Sequence, residues 1–228
     1  GTSIVRVLDQ VVGFVGLNTQ EADAAKLSYR VSVTRDLHHA GYYPGAQSLV
    51  TLLISEEGSG RLLGAQVMGK AGVDKRIDVL ATAMHGHLTV FDLEELDLAY
   101  APPFGAANDP INVAGFVASR ELRGEIVCQD PRAGLPSGHL LLDVRSHAEV
   151  KQGRLTGAQH IPLDNLREQL SAIPADMPIV VYCQKGLRGY LATRILMESG
   201  FAEVRHLKGG FLQAKWNGLG QEEAVASF

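Results

Sequence analysis

The chain has 228 residues, of which 46% are hydrophobic and 20% charged, and its formal net charge at pH 7 is -4. This length allows one large or two small globular domains, each able to bury a core. The slightly negative charge offers no general basic field, so we expect no nucleic-acid partner. No run approaches the roughly 18 consecutive apolar residues of a membrane span, so we expect no membrane partner either.

The two cysteines, Cys128 and Cys183, are too few for a disulfide framework. The sequence also starts without a charged-then-apolar signal segment, and together these features favour a reducing cytoplasm. Two histidine pairs, His38-His39 and His85-Gly86-His87, have no cysteine or carboxylate partners at zinc-ligand spacing. We therefore expect no metal site.

The first half of the chain predicts antiparallel strands followed by helices. Strand-like runs cover residues 3–8, 11–15, 29–34, 48–55 and 61–68. A hairpin turn is predicted over 56–60, and a short polar helix over 21–26. From Val73 the period changes, and one helical face is predicted to contain Ile77, Leu80, Met84 and Leu88. Asp109-Pro110 then marks the start of a helix that reaches Leu122. This order predicts an α+β domain over residues 1–122.

The segment 121–138 is predicted to hold the linker and the first elements of a second domain, which spans 123–228. Its breakers are Pro131, Gly134 and the run 136–138. Cys128 lies in this segment with no basic residue beside it and no helix start after it. We interpret Cys128 as inert.

Cys183 is the candidate nucleophile. It follows the β-branched strand 179–182, and a tight loop separates it from a helical stripe containing Leu191, Ile195 and Leu196. A thiol at that position meets the unpaired N–H groups of a helix start, while Lys185 and Arg188 add positive charge, so the thiolate is favoured. The alternative is a small core cysteine at a strand end.

Residues 140 to 219 resemble a single rhodanese domain, the sulfurtransferase module. The residues that carry the resemblance are Leu141-Leu142-Asp143-Val144-Arg145, Glu149, Gly153, Gly157-Ala158, Ile161-Pro162, the Cys183 loop, Leu207-Lys208-Gly209-Gly210 and Trp216. Two positions depart from the family pattern, with His160 in place of a usual Asn and Arg154 in place of a common His. The resemblance implies an α/β fold with a mainly parallel sheet.

The resemblance also implies a reaction. Cys183 would take the outer sulfur from thiosulfate, a small persulfide or coenzyme A persulfide, and would pass it as a persulfide to an acceptor thiol. Backbone N–H groups from Gln184 through Gly186 and Leu187 to Arg188 would bind the terminal sulfur anion. We expect Lys185 to steer the donor and Arg188 to order the loop. Asp143 and Arg145 are expected to support it from the neighbouring strand.

Most of residues 1 to 120 resemble the C-terminal interface domain of flavin-dependent pyridine-nucleotide disulfide reductases, in the branch of the coenzyme A disulfide reductases, NADH oxidases and persulfide reductases. The carrying residues are Gly1-Thr2-Ser3-Ile4-Val5, His39-Ala40-Gly41-Tyr42-Tyr43-Pro44-Gly45-Ala46, Gly64-Ala65-Gln66, 72–83 and 98–104. The resemblance implies a twofold homodimer held by residues 1–122. It also implies FAD, NAD(P)H and coenzyme A for a full-length enzyme.

The dinucleotide fingerprint Gly-x-Gly-x-x-Gly and a redox cysteine are missing from the first domain. We therefore expect this chain to be the C-terminal part of a longer reductase and to bind no cofactor alone. In the resembled reductases, tyrosines of these motifs reach the partner's flavin-side cysteine and the bound coenzyme A. Among Tyr42, Tyr43 and Tyr100 we prefer Tyr43 and Tyr100; the alternative is that they pack a glycine- and proline-rich corner.

Two other functions remain open. Cys-loop phosphatases also bind their substrate with a cysteine and backbone N–H groups, but their loops have five residues between Cys and Arg. Here four residues separate Cys183 from Arg188, which suits one sulfur atom better than a phosphoryl group. The second alternative is a non-catalytic dimerisation scaffold with a regulatory rhodanese module.

Overall fold

The structure, a computed structural model, describes residues 1–222. The chain forms two compact units, Gly1–Glu125 and Ile126–Phe228. Their boundary lies three residues beyond the one that the sequence predicts. The segment 121–138 contains the end of one helix, a strand of the second unit and a short 3-10 turn, Pro131–Ala133. Most of it is therefore built into one unit or the other.

The first unit is organised around a five-stranded antiparallel sheet. Its strands, in the spatial order β1-β2-β5-β4-β3, are β1 Thr2–Val7, β2 Gln10–Gly16, β3 Tyr29–Leu37, β4 Ser48–Glu56 and β5 Leu62–Gly69. The strands all lie where the sequence predicts them. β1 forms one edge of the sheet and is exposed along its whole length.

The helices of the first unit are α1 Thr19–Ala24, α2 Val73–His85, α3 Val90–Glu95 and α4 Pro110–Leu122. α4 begins as predicted, with Asp109 as its N-cap and Pro110 in the first turn. α3 was not predicted, although Thr89 and Asp92 form a capping box at its start.

Leu88 corrects the predicted face of α2. The helix ends at His85, and the next residues turn back, since His87 has φ 58° and the Leu88 N–H donates to Ala83 O at 2.9 Å. Leu88 packs against the core from this turn and not from the helix. The regular spacing of apolar residues continued past the helix end because the turn also needs an apolar side chain.

The core of the first unit lies where the sheet meets α2, α3 and α4. Its fully buried side chains include Leu49, Val67, Leu80, Leu93 and Ile111. Burial of each such side chain contributes about 1.5–3 kcal/mol. Arg76 and Asp109 are also buried, and they pair at 2.7 Å.

The second unit contains a five-stranded parallel sheet in the order β6-β11-β10-β7-β9. Its strands are β6 Val127–Gln129, β7 Leu140–Asp143, β9 Gln159–His160, β10 Ile179–Tyr182 and β11 Val204–Leu207. β8 Arg154–Leu155 and β12 Gln221–Glu222 form a separate antiparallel pair. Strand β10 is central, between β11 and β7, and it is buried along its whole length. This is the α/β architecture with a parallel sheet that the sequence predicts.

The helices of the second unit are α5 His147–Val150, α6 Leu187–Glu198 and α7 Gly210–Trp216, with 3-10 turns at Leu163–Asn165 and Leu170–Ala172. The predicted buried face of α6 is right at Leu196 and at the partly buried Ile195, and wrong at Leu191. Ala192, Thr193 and Leu196 face the core, while Leu191 is 42% exposed. The first turn packs through Gly189, which places smaller residues against the sheet. No helix in residues 1–222 is long and apolar enough to cross a membrane.

Candidate active site

Cys183 lies at the carboxyl end of the central strand β10, where the chain leaves the sheet and turns into α6. Its side chain is 2% exposed, and its Sγ accepts a hydrogen bond from the Gly186 N–H at 3.2 Å. Gly186 has φ 155° and ψ -52°, a conformation that side-chain-bearing residues rarely adopt. The loop therefore bends back over the sulfur atom.

The loop presents several unpaired backbone donors. The first hydrogen bond of the helix runs from the Tyr190 N–H to Gly186 O at 2.9 Å. Within residues 1–222, the N–H groups of Gln184, Lys185, Leu187 and Arg188 donate to no protein acceptor. N–H groups at a helix start carry partial positive charge and attract an anion. The surroundings of Sγ are therefore suited to a sulfur anion.

Arg188 is held by Glu149. Its Nη1 and Nη2 donate to Oε2 and Oε1 of Glu149 at 2.7 and 2.6 Å. These hydrogen bonds from Arg188 lower the pKa of Glu149 from 4.5 to about 2, and the same contact raises the pKa of Arg188. Since Glu149 offsets its charge, Arg188 adds less positive potential at Cys183 than the sequence alone suggests. Glu149 was noted only as part of the family pattern, and its 39-residue separation from Arg188 gave no signal of this contact.

The other loop side chains have different surroundings. Lys185 is exposed and forms no ion pair within the described residues, and Leu187 is 70% exposed. The Gln184 side chain turns away, because its Oε1 accepts from Arg145 Nη1 at 3.0 Å. The side-chain oxygen of Gln184 is thus engaged by Arg145.

Arg145 and Asp143 form the support beneath the loop. Asp143 lies beside Tyr182 in the register of β7 and β10, and it binds Arg145 through hydrogen bonds of 2.7 to 3.1 Å. Arg145 also donates to Gly153 O at 2.8 Å, and its guanidinium lies 4.0 Å from the Phe211 ring. Both charged residues are almost fully buried, and each is saturated by these contacts, as buried ions must be.

His206, on β11, lies behind the loop and was not singled out in the sequence. It is buried, and burial lowers its pKa to about 4, so it is neutral at pH 7. A Cβ placed on Gly189 would lie 2.8 Å from its ring. Its Nδ1 has no hydrogen-bond partner in the described part of the chain. The glycine in the first turn of α6 is therefore the sequence signal of this close approach.

The three tyrosines of the first unit have different partners within the chain. The hydroxyl groups of Tyr42 and Tyr100 lie 3.0 Å apart, and this hydrogen bond raises the pKa of Tyr100. Tyr43 instead lies edge-on to His39, with ring centroids 5.6 Å apart. All three are exposed, as is Phe104 at 73%. The structure thus pairs Tyr100 with Tyr42 and not with Tyr43.

No group of three His, Cys, Asp or Glu side chains in residues 1–222 could hold a metal ion. His38 and His39 stack on each other with centroids 4.1 Å apart, and His39 Nδ1 contacts Ala40 O at 3.0 Å. Cys128 and Cys183 do not form a disulfide. In the register of the sheet, Cys128 lies beside His206 on the edge strand β6.

Comparison with known families assigns both units. Residues 129–216 match the model of the rhodanese-like domain, and residues 2–109 match that of the pyridine nucleotide-disulphide oxidoreductase dimerisation domain. The chain joins these two domains. Their order and folds agree with the sequence prediction.

Curated relatives match about half of the chain. The coenzyme A disulfide reductase of Staphylococcus haemolyticus (strain JCSC1435) is 38% identical over 118 residues, which are 52% of this chain and 26% of that protein. The coenzyme A disulfide reductase of Staphylococcus epidermidis (strain ATCC 12228 / FDA PCI 1200) is 40% identical over 118 residues, which are again 52% of this chain and 26% of that protein. The chain thus spans about a quarter of the length of the curated relatives it matches.

Solved structures match both domains. The reduced Bacillus anthracis protein CoADR-RHD is similar with a TM-score of 0.91 and 41% identity, over 95% of this chain and 39% of that one. A NAD-dependent persulfide reductase from A. fulgidus gives a TM-score of 0.84 and 40% identity, over 92% and 38% of the two chains. Both domains of this chain are therefore covered by the match to a protein whose name describes persulfide reduction.

Proposed function

We propose that the second domain is a rhodanese-type sulfurtransferase that forms a persulfide on Cys183. The observation that supports this most directly is the loop of unpaired N–H groups around a buried sulfur that already accepts one of them, from Gly186 at 3.2 Å. A neutral core thiol needs no such donors, whereas a sulfur anion is stabilised by them.

The proposed reaction has two displacements. The Cys183 thiolate attacks the outer sulfur of thiosulfate, the sulfur–sulfur bond of the donor breaks, and sulfite leaves with the electron pair. The enzyme then carries a terminal persulfide sulfur with one negative charge. An acceptor thiolate attacks that sulfur, which breaks the enzyme's new bond and restores the Cys183 thiolate. Persulfides, including coenzyme A persulfide, are donors of the same chemical class.

The loop residues take distinct roles in this proposal. Backbone N–H groups of Gln184, Lys185, Leu187 and Arg188 stabilise the terminal sulfur anion, while Gly186 binds the sulfur of Cys183 itself. The exposed ammonium of Lys185 attracts anionic donors. Arg188 acts through Glu149 as a positioning residue, because both of its terminal nitrogens are already bound.

Asp143 and Arg145 keep the loop in place. Arg145 connects the strand β7 to the loop by its contact with Gln184, and Asp143 fixes the orientation of Arg145. Neither residue touches the space in front of Cys183 through a free polar group, since their hydrogen bonds are directed at each other, at Gly153 and at Gln184.

For the first domain we propose dimerisation through residues 1–122. A dimer would place the exposed side chains of Tyr42, Tyr43, Tyr100 and Phe104 against a partner subunit, where such an apolar and aromatic surface is stabilised. The joined hydroxyl groups of Tyr42 and Tyr100 are then candidates for contact with coenzyme A or a disulfide, beside Tyr43, which the sequence analysis prefers together with Tyr100.

Within a longer protein, we propose that this chain supplies the C-terminal part of a coenzyme A disulfide or persulfide reductase in the cytoplasm. FAD and NAD(P)H would belong to that reductase. The sheet of the first unit is antiparallel throughout, whereas dinucleotide sites are built at parallel strands, so we assign neither cofactor to the first unit. The proposed chemistry of this chain is therefore limited to sulfur transfer.

A paired assay tests the proposal. The purified chain is given thiosulfate with cyanide or dithiothreitol as sulfur acceptor, and separately a phosphate ester. We expect thiocyanate or sulfide from the first assay and no phosphate release from the second. Phosphate release without sulfur transfer would favour the phosphatase alternative, and inactivity in both assays would favour the scaffold alternative.

A further inference from the structure

A second element contacts the Cys183 loop through its carbonyl groups. The Phe211 N–H donates to Cys183 O at 2.7 Å, and the Leu212 N–H donates to Gln184 O at 3.2 Å. Both donors belong to the first turn of α7, whose N–H groups have no partners within the helix. Two consecutive carbonyl groups of the loop are thus held from outside.

Holding these carbonyls fixes the direction of two N–H groups. In a planar trans peptide the C=O and the N–H point in opposite directions. When Cys183 O points to Phe211, the Gln184 N–H therefore points away from that contact with α7. In the same way, the contact of Gln184 O with Leu212 directs the Lys185 N–H away from its contact with α7. These are two of the donors that have no protein acceptor within residues 1–222.

Gly210 makes this approach possible. A Cβ on Gly210 would lie 2.4 Å from Cys183 O and 3.0 Å from Lys185 N. Its φ is +61°, which a residue with a side chain adopts only at a cost. Gly209 has φ +68° and makes the turn from β11 into α7 together with Gly210. Any side chain at position 210 would separate the helix from the loop.

We propose that Gly210, with the N–H groups of Phe211 and Leu212, is the positioning element that turns the amides of the Cys183 loop toward the terminal sulfur. This inference rests on the proposed sulfurtransferase function and adds the structural feature that determines which way the N–H and C=O groups of the loop point. Without the two outer hydrogen bonds, the peptides after Cys183 and Gln184 can rotate, and a carbonyl oxygen can face the sulfur anion. The anion then loses a donor and gains a repelling dipole.

The test uses Gly210→Ala, with Gly218→Ala as its matched control. Gly218 lies just beyond the other end of α7 and also has a positive φ, +74°, but a Cβ there would meet nothing within 4 Å. The control thus carries the backbone strain without the collision. We expect Gly210→Ala to lower kcat for sulfur transfer by about a hundredfold, the size of effect seen when one preorganised donor is removed. Gly218→Ala should keep the wild-type kcat.

A second readout does not depend on sulfur transfer. The alkylation rate of Cys183 by iodoacetamide is measured against pH in the wild type and both variants. We expect the Gly210→Ala profile to move to higher pH, because the thiolate loses inward donors, while the Gly218→Ala profile stays with the wild type. If the wild type transfers no sulfur, the proposed function fails, but this pH profile still tests the positioning role.

A third measurement covers the case in which Gly210→Ala does not fold. Hydrogen exchange of the wild-type protein should show protection of the Phe211 and Leu212 amides, which in an ordinary first helical turn would exchange freely. Rapid exchange of both amides would overturn the inference. So would a folded Gly210→Ala protein that matches Gly218→Ala in kcat and in the pH profile of alkylation.

Discussion

Arg188 and Glu149 are joined by two parallel hydrogen bonds, Nη1 to Oε2 at 2.7 Å and Nη2 to Oε1 at 2.6 Å. Glu149 also accepts from the Ser146 N–H and Oγ at 2.9 Å each, as part of the capping box of α5. One carboxylate therefore fixes the start of α5 and the first turn of α6 together. Because the Cys183 loop leads into α6, this pair restrains the helical end of the loop.

The first prediction concerns the stability that this pair contributes. Glu149→Gln should destabilise the second domain by about 1 kcal/mol at pH 7, a value that allows for the partial exposure of both side chains. The pKa of Glu149 is lowered from 4.5 to about 2 in the folded protein, so the contribution is present above about 4.5 and is lost as the pH falls toward 2. Urea unfolding followed by Trp216 fluorescence measures the difference.

Glu198→Gln is the control for this measurement. Glu198 pairs with Arg194 at 2.8 Å on the same helix, but its side chain is far more exposed. This substitution should change the free energy of unfolding by less than about 0.5 kcal/mol, both at pH 7 and at low pH. A Glu149→Gln effect that persists unchanged at low pH would contradict the role of the carboxylate charge.

Arg145→Lys should have a larger effect, although it keeps the charge. An ammonium group cannot make the hydrogen bonds of Arg145 to both oxygens of Asp143 together with those to Gly153 O and Gln184 Oε1. Since Arg145 and Asp143 are almost fully buried, we expect a loss of about 2–4 kcal/mol in the free energy of unfolding. Thermal and urea unfolding check this. The control is Arg205→Lys, since Arg205 on β11 pairs with Glu203 near the surface. This substitution should change the free energy of unfolding by less than about 0.5 kcal/mol. Equal losses in the two variants would contradict the account.

A third prediction concerns assembly through the first domain. We expect the chain to be a dimer in light scattering, and Phe104→Glu should weaken the dimer by on the order of tenfold, because it places a charge in a proposed apolar contact. Trp216→Glu introduces the same charge at an equally exposed aromatic residue of the second domain and should leave the dimer intact. A dimer disrupted only by Trp216→Glu would place the interface in the other domain.

The sequence identified the features of the site that are local in the chain. Cys183 at a strand end, the glycine of its loop and the following helix are encoded within about ten residues, so pattern alone predicts them. The same holds for the N-cap Asp109 of α4. The partner of Arg188 lies 39 residues away, and the contact of Gly210 with the loop depends on the packing of α7, which periodicity does not show.

The errors have similar causes. Leu88 satisfied the helical spacing of α2, but the turn at His87 ended the helix before it. The core face of α6 is set by the close approach of Gly189 to His206, so Ala192 and Leu196 are buried and Leu191 is not.

The most direct test of the account is to locate the transferred sulfur. The protein is treated with thiosulfate, trapped with an alkylating reagent and digested, and the peptides that contain Cys183 and Cys128 are examined by mass spectrometry. We predict one added sulfur atom on Cys183, which is lost when the protein is treated with cyanide before trapping. We predict no added sulfur atom on Cys128, and none on any peptide of the Cys183→Ser variant. An added sulfur on Cys128 with none on Cys183, or an unmodified protein that still transfers sulfur, would contradict the account.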